Sequence, residues 1–154
     1  MSWAKGLRFS SLRSGIALWH AARFNEAAAC EEWALAKFKA LGERDDYVNT
    51  LQSFANTEIA RNDIDKAEKL AREALSLVDG PYTALLTGRI EMQLADLTLR
   101  RGSVVESFGH ADRALTAFGE AHDPRGEANV MMKLAELHDH VGANDDAPAF
   151  RLGG

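Results

Sequence analysis

Small residues recur along this chain with a period of 40 residues. One column of the repeat holds only glycine or alanine, at Gly15, Ala55, Ala95 and Ala135. Two further columns follow the same spacing, at Ala27, Ala67, Ser107 and Ala147 and at Ala34, Ala74 and Ala114. Because independent columns share one period, we interpret the chain as one supersecondary unit that is stacked several times.

Apolar residues between these columns have helical spacing, and they predict seven helices. No window alternates apolar and polar residues in the manner of a strand, so the predicted fold class is all-α. Glycine, proline and a turn column set the ends of the helices. That column holds Ala22, Asn62, Gly102 and Gly142. The predicted helices span about 7–21, 25–41, 46–61, 64–78, 82–101, 104–119 and 124–141.

Two helix starts carry capping residues. Asp63 precedes the predicted helix 64–78, and its carboxylate can accept a hydrogen bond from a free backbone N–H. Ser103 lies three residues before Glu106, which is the spacing of a capping box. We therefore expect these side chains to fix the start of their helices.

The helices pair in order into three hairpins followed by a single helix. The repeats span about 8–41, 46–78 and 82–119, and helix 124–141 is expected to cap the last of them. The small columns allow the paired helices to approach closely. Residues 1–142 are therefore predicted to form one domain, whereas 143–154 lacks a helical period and is expected to be a flexible tail.

This pattern resembles the tetratricopeptide repeat (TPR). The small positions of that family fall on Ala55, Ala67 and Ala74 in the second unit, and its turn glycine falls on Gly102. The resemblance implies a right-handed α-solenoid of three TPR hairpins plus a C-terminal capping helix. The usual family period is about 34 residues. The longer period here resembles the variant found in bacterial regulators, kinesin light chains and peptide-sensing receptors.

The same resemblance implies a concave groove lined by the first helix of each unit. Its amide side chains suit the backbone of an extended peptide, and Arg89 and Lys133 suit a carboxylate. The alternative is that these positions are solvated helix faces, but asparagine is a poor helix former and is unusual on an unconstrained surface. The implied groove residues are Arg13, Asn49, Ser53, Asn56, Arg89, Gln93, Asp96, Asn129, Lys133 and Glu136.

The first predicted helix departs from this polar pattern. It carries an apolar stripe on the groove side, made of Phe9, Leu12, Ile16 and Trp19. Since a helix that is apolar nearly all round is normally covered on both sides, the stripe requires a cover. Three covers are open: the N-terminal segment with Trp3, a second copy of the chain in a homodimer, or another protein.

Composition excludes some classes of partner. The chain has 154 residues, a hydrophobic fraction of 46% and a formal net charge of −5, which argues against nucleic-acid binding. No signal peptide or membrane span is recognisable, so we expect no membrane association. Cys30 is the only cysteine, which favours a reducing, cytoplasmic location, and we expect its side chain to be buried.

Candidate chemistry is sparse, and we expect no enzyme, cofactor or metal. His138 and His140 are two residues apart, so they point to different sides of a helix and cannot share a metal ion. His138 is expected in the core. The sequence therefore predicts a non-catalytic scaffold that binds a peptide or protein in its groove. The alternatives are an oligomerisation module driven by the first helix and an accessory subunit of an enzyme or regulator.

Overall fold

We describe the fold from a computed structural model of the chain. It describes the backbone of residues 9–79 and 83–145 and the side chains of residues 20–79 and 83–142. These ranges contain six helices and no strand, which confirms the prediction of an all-α fold. The helices are α1 (Phe9–Leu41), α2 (Arg44–Ala60), α3 (Ile64–Leu77), α4 (Ala84–Arg100), α5 (Val104–Glu120) and α6 (Pro124–Asp145).

Four of the helices end in the same kind of turn. A residue with positive φ follows the helix in each case: Gly42 (73°), Asn62 (65°), Gly102 (92°) and His122 (53°). The next amide then donates back to the last helical turn, as from Asp63 N to Glu58 O at 2.8 Å. Glycine and asparagine tolerate the left-handed conformation best, which explains why the turn column holds them.

The two predicted caps have different outcomes. Asp63 caps α3 as predicted, since its Oδ1 accepts a hydrogen bond from Lys66 N at 3.3 Å. The capping box at Ser103 is wrong, because this side chain makes no capping hydrogen bond. Glu106 instead accepts from Arg101 at 3.0 Å and from Arg72 at 3.5 Å. Hydrogen bonds from charged guanidinium groups are stronger than one from a neutral backbone amide.

The prediction of separate helices over 7–21 and 25–41 is wrong, because α1 runs through the predicted turn without a break. The turn column holds Ala22 here, where the next two units hold Asn62 and Gly102. A residue with a Cβ atom costs roughly 1–2 kcal/mol in the left-handed conformation, and alanine is the best helix former. The described residues therefore form six helices rather than seven, and the first predicted hairpin is absent.

The C-terminal helix is longer than predicted. α6 begins at Pro124, as expected, but continues through Gly142 to Asp145 instead of ending at residue 141. Glycine permits a left-handed turn without requiring one, and Ala143 favours continuation of the helix. The predicted start of the tail is therefore helical, whereas residues 146–154 lie outside the described part of the chain.

The helices pack in two ways. Each helix contacts the next one along the chain, so that α2 pairs with α3 and α4 with α5. In addition, α2 contacts α4 and α4 contacts α6, which places the first helices of successive units side by side. The arrangement is helical-repeat-like, and the α2–α4–α6 layer is where the implied groove residues of the later units lie. None of the helices in the described residues is long and apolar enough to span a membrane.

The small columns lie at the helix contacts, as predicted. Ala55, Ala67, Ala95 and Ser107 are fully buried, each with 0% exposure. Ser107 Oγ donates to the carbonyl oxygen of Ala95 at 2.6 Å, so these two columns meet directly between α4 and α5. Ala135 is exposed, because α6 has no second helix of its own unit against it in the described residues. The 40-residue spacing therefore records helix packing within hairpins.

Candidate functional site

Five of the implied groove residues line one depression across α2, α4 and α6, which we call the central depression. Its volume is about 320 Å³. The remaining lining comes from Gln52, Ile59, Met92 and Phe118. The five residues that the groove pattern named are Asn56, Arg89, Gln93, Asp96 and Asn129.

Gln93 links α4 to α2 at the base of this depression. Its Nε2 donates to Gln52 O and to Asn56 Oδ1, both at 2.8 Å. Since Nε2 faces a backbone carbonyl, which only accepts, the orientation of the Gln93 amide is fixed. Gln93 Oε1 is buried and has no hydrogen-bond partner in the described structure. The Gln93 amide therefore holds a free acceptor, while Asn56 uses its oxygen and retains its Nδ2 donors.

Some charged side chains in and beside the central depression form ion pairs with each other, whereas Arg89 does not. Lys133 Nζ lies 3.0 Å from Glu136 Oε2 and 3.4 Å from Asp96 Oδ1, and its side chain is only 15% exposed. Asp96 also accepts from Arg100 Nε at 2.9 Å. Arg89 is exposed and makes no hydrogen bond or ion pair with any described residue. Of the two cations proposed to hold a carboxylate, Arg89 is the one that is free to do so.

Phe118 gives the depression an apolar wall that the repeat pattern does not indicate. Its ring is 5% exposed, although α5 belongs to the second layer of helices. It reaches past two glycines, because a Cβ atom on Gly88 would lie 2.8 Å from the ring and one on Gly126 only 2.4 Å. The only signal in the sequence is that Gly88 and Gly126 stand inside helices. Glycine lowers the stability of a helix, so its presence there suggests a close packing contact.

Asn49 and Ser53 lie away from the central depression, in a second one between α1 and α2. This α1–α2 depression has a volume of about 380 Å³ and is also lined by Cys30 and Glu31. Ser53 Oγ donates to Glu31 Oε2 at 2.6 Å. Seven of the ten implied groove residues are thus divided between two depressions, and Lys133 and Glu136 line neither of them. Cys30 is exposed, so the expectation that it is buried is wrong.

Residues of the first unit are placed only in part. Arg13 and the apolar stripe Phe9, Leu12, Ile16 and Trp19 belong to α1, but their side chains lie outside the described residues. Because α1 is continuous, this segment does not fold back beside α2 as the first helix of a hairpin would. The first unit therefore does not contribute to the α2–α4–α6 layer in the predicted way.

A buried ionic cluster between α4 and α5 was not predicted. Arg113 Nε donates to Glu91 Oε2 at 2.7 Å, and His110 Nδ1 lies 3.4 Å from the same oxygen. The Glu91 side chain is only 2% exposed. Burial raises the pKa of the Glu91 carboxyl, but His110 and Arg113 outweigh this effect and hold the pKa below its ordinary value. Glu91 stands 40 residues after Leu51, so a charged residue occupies a position that is apolar in the preceding unit.

Other candidate chemistry does not converge on a site. His138 is exposed, so its expected place in the core is wrong; its ring lies 5.1 Å from that of Phe108 in an edge-on arrangement. The described residues contain no group of three His, Cys, Asp or Glu side chains that could hold a metal ion. No protein-family model matches the chain, and no curated protein is significantly similar to it.

Proposed function

We propose that this chain is a TPR-like α-solenoid that acts as a non-catalytic scaffold in the cytoplasm and binds an extended peptide segment across α2, α4 and α6. One observation carries the proposal. The positions that the 40-residue repeat assigns to a groove converge, on three separate helices, on a single depression. Helix faces that merely contact solvent would not require this convergence of asparagine, glutamine and arginine.

The chemistry of the central depression favours a peptide that brings a carboxylate. Arg89 offers an exposed guanidinium that has no partner among the described residues, and such a group can bind a carboxylate in a bidentate manner. Gln93 is buried, and its Nε2 holds Asn56 in place through the 2.8 Å hydrogen bond to Asn56 Oδ1. Asn129 is exposed and offers a donor and an acceptor to the peptide backbone, whereas Asn56 is exposed and offers its Nδ2 donors. Lys133 is already paired, so it positions Asp96 rather than binding the ligand.

The proposal is tested by selecting peptides from a random displayed library against the wild-type protein and measuring their affinity by fluorescence anisotropy. We expect selected peptides to contain a side-chain or C-terminal carboxylate. Arg89→Ala should weaken their binding about tenfold to hundredfold, since a hydrogen bond to a charged group contributes about 1.5–3 kcal/mol. Amidation of that peptide carboxylate should have a similar effect.

Lys69→Ala is the matched control, because Lys69 is an exposed cation on α3, outside the α2–α4–α6 layer. It removes the same charge from the protein and should leave the affinity unchanged. Equal losses for Arg89→Ala and Lys69→Ala would mean that binding reflects net charge alone. Selected peptides that bind Arg89→Ala as tightly as the wild-type protein would refute the proposed site.

A further inference from the structure

The last helix, α6, is the first helix of a repeat whose second helix is absent from the described residues. Ala128, Met131 and Ala135 lie on one face of α6, and all three are exposed. The residues 40 and 80 positions earlier are all buried: Val48, Leu51, Ala55, Gly88, Glu91 and Ala95. The turn that would bring a second helix onto this face is not made after α6, because Gly142 is helical.

The C-terminal half of α1 shows the converse, because it is a second helix without a first one. Ala27 and Ala34 are half-buried, and Cys30 is exposed. Their equivalents on α3 and α5 include five buried residues: Ala67, Ala74, Ser107, His110 and Ala114. Residues 9–21 cannot cover this face, since they belong to the same continuous helix. Each end of the described array therefore has one helix face without its usual neighbour.

The two uncovered faces are of opposite kinds. The face on α6 is that of a first helix, and it lacks a second helix. The face on α1 is that of a second helix, and it lacks a first. Terminal faces of stacked repeats are buried only against a further unit or a cap. A second copy of the chain can supply that unit, because residues 24–41 packed on α6 of another copy continue the order of first and second helices.

The contacts between α4 and α5 fix how these two helices would align. Ser107 Oγ donates to the carbonyl oxygen of Ala95 at 2.6 Å, so positions 95 and 107 meet in an antiparallel pair. One repeat after Ala95 stands Ala135, and two repeats before Ser107 stands Ala27. Both are small, as their equivalents are, and small residues allow the two helices to approach closely.

A second contact gives the same alignment with different chemistry. Between α4 and α5, Glu91 Oε2 accepts from Arg113 Nε at 2.7 Å. The equivalent positions on α6 and α1 hold Met131 and Trp33. Both are large, apolar and exposed, at 56% and 66%. An ion pair is thus replaced by an apolar residue on both sides, and methionine sulfur packs favourably against an aromatic ring.

We propose that copies of this chain associate head to tail, with residues 24–41 of α1 from one copy packed antiparallel on the Ala128–Met131–Ala135 face of α6 from the next. The interface uses a different surface of each copy, so association continues beyond a dimer into an open chain or a closed ring. It also places α2 of one copy beside α6 of the other, so the layer of first helices continues across the junction.

The N-terminal half of α1 does not obstruct this packing. In the antiparallel alignment, position 17 of one copy lies level with Asp145, the last residue of α6. Residues 9–16 then extend about 12 Å past the end of α6, away from the helix layers. A continuous α1 is therefore compatible with the junction.

The test uses two variants that each contain a single cysteine, Ala27→Cys and Ala135→Cys, both in a Cys30→Ser background. Their backbones should lie close together at the junction, as the contact of Ser107 with Ala95 requires in the hairpin. Oxidation of the mixture should therefore give a covalent heterodimer in high yield, seen by non-reducing electrophoresis and identified by mass spectrometry. Each variant alone should give little covalent dimer.

Glu136→Cys in the same background is the matched control for Ala135→Cys. Glu136 is exposed and adjacent, but it lies about 100° further around α6. Mixed with Ala27→Cys, it should give little heterodimer, and a yield equal to that of Ala135→Cys would contradict the alignment. Covalent dimers from one variant alone would mean that α1 pairs with α1, or α6 with α6. Absence of the heterodimer would mean that another segment, such as residues 146–154, covers α6.

Light scattering tests the association without cysteine chemistry. The mass of the wild-type protein should rise with concentration beyond that of a dimer, and a monomeric mass throughout would contradict the proposal. Trp33→Glu should make the protein monomeric. Leu41→Glu should associate as the wild-type protein does, because Leu41 is equally exposed but lies beyond the stretch of α1 that meets α6. Equal effects of the two variants would contradict the interface. Trp33→Glu should still bind selected peptides, since the central depression lies within one copy.

Discussion

Removal of the Arg113 guanidinium should destabilise the folded protein, because Arg113 compensates the buried charge of Glu91. The Glu91 side chain is 2% exposed, and Arg113 Nε donates to it at 2.7 Å. The other carboxylate oxygen, Oε1, has no hydrogen-bond partner in the described structure. In Arg113→Ala the carboxylate would keep only the contact with His110, at 3.4 Å. The burial cost would then be poorly compensated, and the folded state should lose stability.

The size of the loss follows from the exposure of the two partners. Breaking a fully buried ion pair costs about 3–5 kcal/mol, whereas losing a hydrogen bond to a charged group costs about 1.5–3 kcal/mol. The Arg113 side chain is 61% exposed, so water can replace part of its contact with the carboxylate. We therefore expect Arg113→Ala to lower the free energy of unfolding by about 2 kcal/mol. For a chain of this length that corresponds to about 4–8 °C in Tm.

A double-mutant cycle with Glu91→Leu isolates this interaction. Leucine fits the column, since Leu51 is buried at 1% exposure one repeat earlier. Replacing a buried charge by a packed apolar residue is often neutral or stabilising, so Glu91→Leu alone should cost little. Arg113→Ala should then cost less than about 0.5 kcal/mol in the Glu91→Leu background. Urea unfolding followed by circular dichroism measures all four proteins. Equal costs of Arg113→Ala in both backgrounds would mean that Arg113 does not compensate the buried charge of Glu91.

Two further predictions concern packing and pH. Gly126→Ala should destabilise the protein by about 1–2 kcal/mol in urea unfolding, because its Cβ atom would lie 2.4 Å from the Phe118 ring. The control Gly109→Ala has 3.6 Å to its nearest neighbour and should be neutral or stabilising, and the reverse order would contradict the packing. The folded pKa of Glu91 is lowered, so its contribution to stability is present above about pH 4.5 and is lost as the pH falls below that value. Glu91→Gln should therefore lose less stability than the wild-type protein between pH 5 and pH 3, and parallel losses would contradict the assignment.

Much of the helical framework could be predicted from the sequence. The hairpins α2–α3 and α4–α5 follow from the columns of small residues, since Ala55, Ala67, Ala95 and Ser107 lie at the helix contacts. The turns at Asn62 and Gly102 follow from residues that tolerate positive φ. These features are local, so a regular spacing is enough to reveal them.

The errors arise where the repeat loses a residue that the turn requires. The turn column predicted a hairpin at Ala22. Alanine favours the helical conformation over the left-handed one that the turn needs, so the helix continues there. His122 adopts positive φ at 53° although no pattern marks it. The Glu91 cluster and the Phe118 wall depend on side chains of three different helices. Such long-range contacts leave no periodic signal, so neither feature could be predicted from the sequence.

Backbone amide chemical shifts, measured during titration with a selected peptide, would locate the proposed peptide site on the α2–α4–α6 layer residue by residue. The largest changes should cluster around Asn56, Arg89, Gln93 and Asn129, on three separate helices. Arg89→Ala should abolish these changes at the same peptide concentration, whereas Lys69→Ala should preserve them. Changes centred on α3 and α5, or on α1 alone, would mean that the peptide binds elsewhere on the protein.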